Sequence, residues 1–369
     1  LATRDQQWSS AEIRRMLIVR IGAMGDVLHA MPAVAAMRAA HPDWSIEWVV
    51  EPRWSPLLKA ADATNRSAAM PLVDKVHLAA TREWKKSPLS AKALRDIASL
   101  RHELRGGGFD VCVDMQGSIR SAVIGRMTGA RTFAGPAHPW EAPARWLYAN
   151  KVSVSSAHVV EQGCELLGAA IGEALHPAKV TLPVDMHAEE LCASRLRQLD
   201  KEAGFVLIAA GAGWGAKQWP AERFGAVAAE LDRAGYRVLI NAYSQEDTLA
   251  NEVVLASGGR AVVFPCDMAE LIAATRRMAL VIAGDTGPLH LAAALERPVV
   301  ALFGPTDPKR NGPYGTEARV LRHGAERRDH RRLHEPETGL LEITVDEVVG
   351  AAFDLLQGRT GVDAGKVVK

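Results

Sequence analysis

VIAGDTGPLHLAAALERPVVALFGPTDP, residues Val281 to Pro308, is the stretch on which the reading of this chain turns. It opens as an apolar strand and turns at Gly284-Asp285-Thr286-Gly287. A short helix is predicted from Pro288 to about Leu295, and a second strand from Pro298 to Phe303 ends in another Gly-Pro turn. In α/β proteins, ligands bind beyond the carboxyl ends of parallel strands, where a helix N-terminus presents unpaired N–H groups to an anion. The segment therefore reads as a phosphate-holding corner.

The rest of the chain has to supply a fold around that corner. At 369 residues it exceeds one ordinary core, so two domains of roughly 150 to 180 residues are expected. Forty-four Lys and Arg against 43 Asp and Glu leave a net charge of +1. A nucleic-acid-binding role would show a large basic excess and is disfavoured. Cys112, Cys164, Cys192 and Cys266 have no C-x-x-C spacing, which predicts reduced structural thiols in a cytoplasmic protein rather than zinc ligands or disulfides. No run of about 18 apolar residues suggests a membrane span. Leu1 to about Arg15 reads as a loose leader, and the polar tail after the last helix as frayed.

Met16 to Ile21 is a buried-strand pattern that stops at Gly22-Ala23-Met24-Gly25-Asp26. Helical spacing follows through Val27, Met31, Val34 and Met37. Strand, glycine turn and helix form the first unit of a Rossmann-like domain. Further strands are predicted at Ile46–Val50, Val73–Leu78, Phe109–Asp114 and Arg131–Phe133, and helices at Leu94–Leu104, Ser118–Met127 and His158–Leu167. The pattern restarts at Phe205–Ala210, with later strands at Tyr236–Asn241, Ala261–Phe264 and Ala318–Leu321. Helices fall at Ala221–Ala234, Thr248–Ala256 and Met268–Thr275. Ile343–Leu356 is an amphipathic helix with a Thr cap, ending before Gly358. Two such sets make an α/β protein of two Rossmann-like domains facing a central cleft. The interdomain connection is placed at about Gly172 to Val184.

Several motifs could carry chemistry. GAGWGA, Gly211 to Ala216, is G-x-G-x-G rather than the dinucleotide fingerprint G-x-G-x-x-G, and Walker A is absent. What it offers is a flexible backbone plus Lys217, suited to clamping a pyrophosphate. Asp26, at the start of a helix, either caps it or accepts a proton from an incoming hydroxyl. His29, one turn later, orients a substrate or simply packs. Asp285 either caps its turn or orients a sugar hydroxyl, since close to a phosphate it would be repelled. Thr286 and the Gly287 N–H suit a phosphate oxygen, and His290 on the first helical turn can donate to a phosphate or leaving group. Arg120, Arg126, Arg131, Arg145 and Lys151, with Asp114 and Gln116, either converge on an anionic acceptor or form a solvated face. The loop around Trp84-Lys85-Lys86 is surface or acceptor lid. His330 and His334, one helical turn apart in a basic stretch, lack a carboxylate partner and read as solvated loop before metal site.

Together, VRIGAMGDVLHAMPAV (Val19–Val34), VDMQGSIRSA (Val113–Ala122), GAGWGAKQWP (Gly211–Pro220) and the opening segment resemble the ADP-heptose:lipopolysaccharide heptosyltransferases, heptosyltransferase I in particular, within glycosyltransferase family 9. The similarity spans about residues 16 to 357. It implies a GT-B fold with an acceptor-binding domain over 13–175, a nucleotide-sugar-binding domain over 185–342, and a helix over 343–357 that packs back on the first domain. It also implies a metal-independent, inverting transfer of L-glycero-D-manno-heptose from ADP-heptose to a Kdo residue of the lipopolysaccharide inner core, without a cofactor. Asp26 then matches the catalytic base, and Lys217 the lysine on the donor diphosphate. Asp285, Thr286, Gly287 and His290 match the donor-binding turn. Glu246, or Gln245 beside it, falls near the family's ribose-binding glutamate, and Met268 where a residue would meet the base. Gln116, Arg120 and Arg145 are the acceptor-binding candidates. A lipid-linked acceptor would bring the protein to the inner face of the membrane as a peripheral visitor. Another family 9 transferase, a GT-B nucleotide-sugar epimerase and a noncatalytic nucleotide-sugar-binding module remain as alternatives.

Overall fold

The structure is a computed structural model and describes residues 15–199, 203–324 and 335–358. The histidine pair His330/His334, the leader and the tail beyond Gly358 lie outside the described residues. The chain divides after Asp185 into two units.

The first unit holds one parallel sheet of β1 (Arg15–Val19), β2 (Ser45–Val50), β3 (Lys75–Leu78), β4 (Val111–Asp114), β5 (Thr132–Pro136) and β6 (Asn150–Val152), in the order β3-β2-β1-β4-β5-β6. The second unit repeats it with β7 (Phe205–Ala209), β8 (Arg237–Ala242), β9 (Val262–Pro265), β10 (Leu280–Gly284), β11 (Val299–Leu302) and β12 (Ala318–Leu321). Its order is β12-β11-β10-β7-β8-β9. Counted from each unit's own start, both sheets run 3-2-1-4-5-6, the doubly wound arrangement. Each has one switch point where the strand order reverses, β1/β4 in the first and β7/β10 in the second.

The central strands are continuous apolar runs because helices cover both faces of a parallel sheet. Met16, Leu17, Ile18 and Val19 of β1 and Leu280, Val281, Ile282 and Ala283 of β10 are fully buried. Each larger aliphatic side chain among them stabilises its unit by about 1.5–3 kcal/mol relative to exposure. In the second unit the helices Ala221–Arg233 and Thr248–Ala256 approach closely at Gly225, where a Cβ would come within 2.4 Å of Ala256 Cβ.

Three elements differ from the sequence reading. β6 was not anticipated: it is three residues at a sheet edge, largely exposed, and carries no apolar signal. The Trp84 region is a short helix, Thr81–Lys86. The final helix, Val345–Leu356, was expected against the first domain, but its buried face of Val348, Ala351, Ala352 and Leu355 belongs to the core of the second unit. It packs there on the helix Ala221–Arg233 and on β10, β11 and β12. Its Thr344 cap is as predicted: Thr344 Oγ1 accepts from Glu347 N at 3.2 Å, and Glu347 Oε2 accepts from Thr344 N at 2.8 Å.

Candidate active site

The second unit's switch point collects what the sequence scattered. After β7 the chain makes a single 3-10 turn, Gly215–Lys217, that buries the Lys217 side chain. After β10 it turns through Asp285 into the helix Gly287–Ala294. Because β7 and β10 are adjacent, residues 68 apart in sequence meet: Lys217 Nζ donates to Asp285 Oδ2, and to the Asp285 carbonyl at 3.3 Å. Asp285 Oδ1 lies 3.2 Å from His290 Nε2, and Oδ2 also accepts from Thr306 Oγ1 at 2.7 Å. Lys217 Nζ sits 4.3 Å from the centroid of the Trp214 ring, a cation–π contact.

The side chains of Lys217, Asp285 and His290 are 8%, 7% and 7% exposed. Burial alone would raise the Asp285 pKa, yet the His290 hydrogen bond and the Lys217 charge outweigh it and hold this carboxyl well below the usual carboxylate range. Asp285 is thus a buried anion that positions a lysine and a histidine. The Thr286 hydroxyl donates to Gly284 O at 3.2 Å instead of capping the helix it precedes. The first-turn N–H groups, Gly287 among them, therefore point to the carboxyl end of the sheet with a positive dipole end.

The remaining donor candidates follow the next strands out. Glu246 is in an exposed loop after β8, with its N–H on Ser244 Oγ at 3.3 Å, and neighbouring Gln245 carries its carbonyl on Asn251 Nδ2 at 2.9 Å. Met268, half-buried, opens the helix after β9, which Asp267 and Glu270 cap reciprocally. The strand sequence β10-β7-β8-β9 thus lays out Asp285, Lys217, Glu246 and Met268 in that order along one edge. Two strand spacings from β7 to β9 span about 10 Å.

In the first unit, Asp26 occupies the third position of the helix Met24–Ala40. Its Oδ2 accepts from Ala23 N at 3.0 Å, and its Oδ1 pairs with the Arg20 guanidinium at 2.8 Å. The side chain is 47% exposed, so a solute can reach it. The loop that carries it is tied to β4 across the switch point. Gln116 Oε1 accepts from Ile21 N at 2.8 Å and Gly22 N at 3.3 Å, and Arg20 donates to Met115 O. Asp114, fully buried, accepts from Gln116 N, Gly117 N, Ser121 Oγ and Tyr148 Oη at 2.7–3.2 Å. Burial raises its pKa despite those four donors. Gly117 turns with φ +73°, a conformation that favours glycine.

Gln116 thus commits its carbonyl to the Asp26 loop. Arg120, exposed, donates to Thr81 Oγ1 at 2.9 Å, and Arg145 is exposed on the short 3-10 turn Ala142–Trp146. These two elements are neighbours, joined by Ile119 N donating to Glu141 Oε2 at 2.7 Å. Arg126, Arg131 and Lys151 are exposed. His29 meets the His158 ring edge-on at 6.0 Å. The four cysteines are buried free thiols, and burial pushes Cys164 and Cys266 up to about 12, which keeps them protonated. Trp214 and Thr306 were missed as site residues, although both lie inside quoted motifs. Among the described residues, no group of three or more His, Cys, Asp or Glu could hold a metal ion, and no helix is long and apolar enough to cross a membrane.

Two doubly wound units, one with a cation, a histidine and a helix start at its switch point, are the parts of a GT-B glycosyltransferase, and solved structures share the fold. The family 9 glycosyl transferase from Veillonella parvula DSM 2008 superposes with a TM-score of 0.75 at 19% identity, covering 96% of this chain and 99% of that one. E. coli heptosyltransferase WaaC with ADP gives 0.72 at 24% identity, covering 92% and 99%. The chain belongs to glycosyltransferase family 9 (heptosyltransferase), whose model matches residues 97–339. Lipopolysaccharide heptosyltransferase 1 of Pseudomonas aeruginosa is 28% identical over 308 residues, 82% of this chain and 81% of that protein. Asp26 precedes the residues matched by the family model.

Proposed function

We propose that this glycosyltransferase moves L-glycero-D-manno-heptose from ADP-heptose to a Kdo residue of the lipopolysaccharide inner core, with inversion at the anomeric carbon. The observation that carries the reading is the buried Lys217–Asp285–His290 cluster at the β7/β10 switch point, with Glu246 and Met268 following in strand order. That order suits a diphosphate, a ribose and a base laid along one edge. The relatives support the donor: they include heptosyltransferase 1 of P. aeruginosa and a structure of WaaC with ADP-2-deoxy-2-fluoro heptose.

In this mechanism Lys217 and the N–H groups at Thr286 and Gly287 bind the diphosphate. They offset the charge that develops on it as the glycosidic bond breaks. His290 donates to a phosphate oxygen, Glu246 or Gln245 binds the ribose hydroxyls, with the Glu246 carboxylate accepting from them, and Met268 packs on the base. Asp26 accepts the proton of the attacking hydroxyl, and a single in-line displacement inverts the sugar. Gln116, Arg120 and Arg145 hold the anionic acceptor. A lysine and a helix terminus supply the positive charge, so the scheme needs no divalent ion. The lipid-linked acceptor would place the reaction at the inner face of the membrane.

The test is ADP release from ADP-heptose with and without a Kdo-containing acceptor. Acceptor-dependent release is expected. No release with that acceptor, or epimer formation without it, would contradict the proposal and favour the epimerase or the noncatalytic binding module.

A further inference from the structure

We infer that Thr306 is a positioning residue for the diphosphate site, acting through Asp285 as the donor that lets Lys217 change partners; this rests on the proposed role of Lys217. Thr306 lies in the loop after β11, is 1% exposed, and donates to Asp285 Oδ2 at 2.7 Å. Lys217 Nζ donates to that same oxygen. With Oδ1 facing His290, Asp285 has three side-chain partners, two of them on one atom.

A diphosphate draws the Lys217 ammonium toward itself, and every shift away from Oδ2 strips a donor from a buried carboxylate. Such a group is costly to leave unpaired. The Thr306 hydroxyl remains on Oδ2 throughout and satisfies it as the ammonium moves. Remove the hydroxyl, and Oδ2 depends on Lys217 alone. The lysine is then held more tightly by Asp285 and is less available to the diphosphate. The loop after β11 thereby tunes a lysine after β7 that it need not touch.

The consequence is confined to ligands with a second phosphate. Titration of the full-length protein with ADP and with AMP reads it directly. Thr306→Val should weaken ADP binding about tenfold, the weight of one hydrogen bond to a charged group, and leave AMP binding unchanged. Thr306→Ser should bind both ligands as the wild type does. In turnover, Thr306→Val should raise KM for the donor with little change in kcat. If Thr306→Val fails to fold by circular dichroism, Thr306→Ala goes through the same titration with the same expectation. Equal weakening of ADP and AMP, or a Ser variant as impaired as Val, marks a packing role and overturns the inference. Lys217→Met separates this from failure of the proposed site. If it loses the preference for ADP over AMP while Thr306→Val keeps wild-type ADP affinity, only the Thr306 role falls. If Lys217→Met keeps the full preference, the diphosphate site itself is wrong and both readings fall.

Discussion

Asp285→Ala tests the electrostatic account of the second unit. Both members of the Lys217–Asp285 pair have side chains less than a tenth exposed, so deleting the carboxylate leaves a buried ammonium without its counter-ion. Breaking a buried pair from one side costs about 3–5 kcal/mol. Thr306 and His290 lose their shared acceptor in the same step. For a unit of this size the expected fall in Tm is on the order of 10 °C. Lys217→Met combined with Asp285→Ala removes both charges, and most of the loss should return. Urea unfolding of the two single variants and the double variant gives the coupling energy, and hydrogen exchange at the Ile282 and Ala283 amides of β10 confines the readout to the second unit. A single variant within about 1 kcal/mol of wild type, or a double variant no more stable than Asp285→Ala, would refute the claim that the pair is buried and mutually dependent.

Asp26→Asn should retain ADP binding and lower kcat by about 10²–10⁴; full turnover would remove Asp26 as the base. Gln116→Leu deprives Ile21 N and Gly22 N of their acceptor and should lower kcat while ADP affinity in the second unit stays constant, as measured by calorimetry. Asp285 also sets an acid dependence. Its folded pKa is depressed, so its stabilisation is fully present above the unfolded value of about 3.9 and is lost as pH falls through the folded value. The Tm gap between wild type and Asp285→Asn should therefore be constant near neutrality and narrow below about pH 4; a gap that widens in acid would contradict the sign. Gly225→Ala places a Cβ 2.4 Å from Ala256 Cβ and should cost about 1–3 kcal/mol of overpacking in urea unfolding.

Much of this molecule is legible in its sequence because its signals are local. Apolar runs such as LVIA at Leu280–Ala283 mark central strands of a parallel sheet, and the glycine turns that follow mark the edge where ligands bind. Lys217 stands out in one motif and Asp285 and His290 in another, and the adjacency of β7 and β10 brings the two motifs together. The parts that were not legible depend on proximity across the fold. Thr306 matters only because β11 lies beside β10, and Trp214 only because the turn after β7 folds its ring toward Lys217. Gln116 holds a loop 95 residues earlier, which no spacing rule reveals. The helix Val345–Leu356 has a periodicity that announces a buried face but does not say which sheet it covers, and it covers its own unit's. β6 is too short and too exposed to leave a pattern.

The central claim is heptosyl transfer with Asp26 as base and Lys217 on the leaving diphosphate. It is tested most directly by mass spectrometry of a Kdo-terminated acceptor after incubation with ADP-heptose. The wild-type protein is predicted to add one heptosyl residue, with Asp26→Asn adding none although it still binds ADP. An acceptor left unchanged by the wild type, or modified equally by Asp26→Asn, would contradict the account.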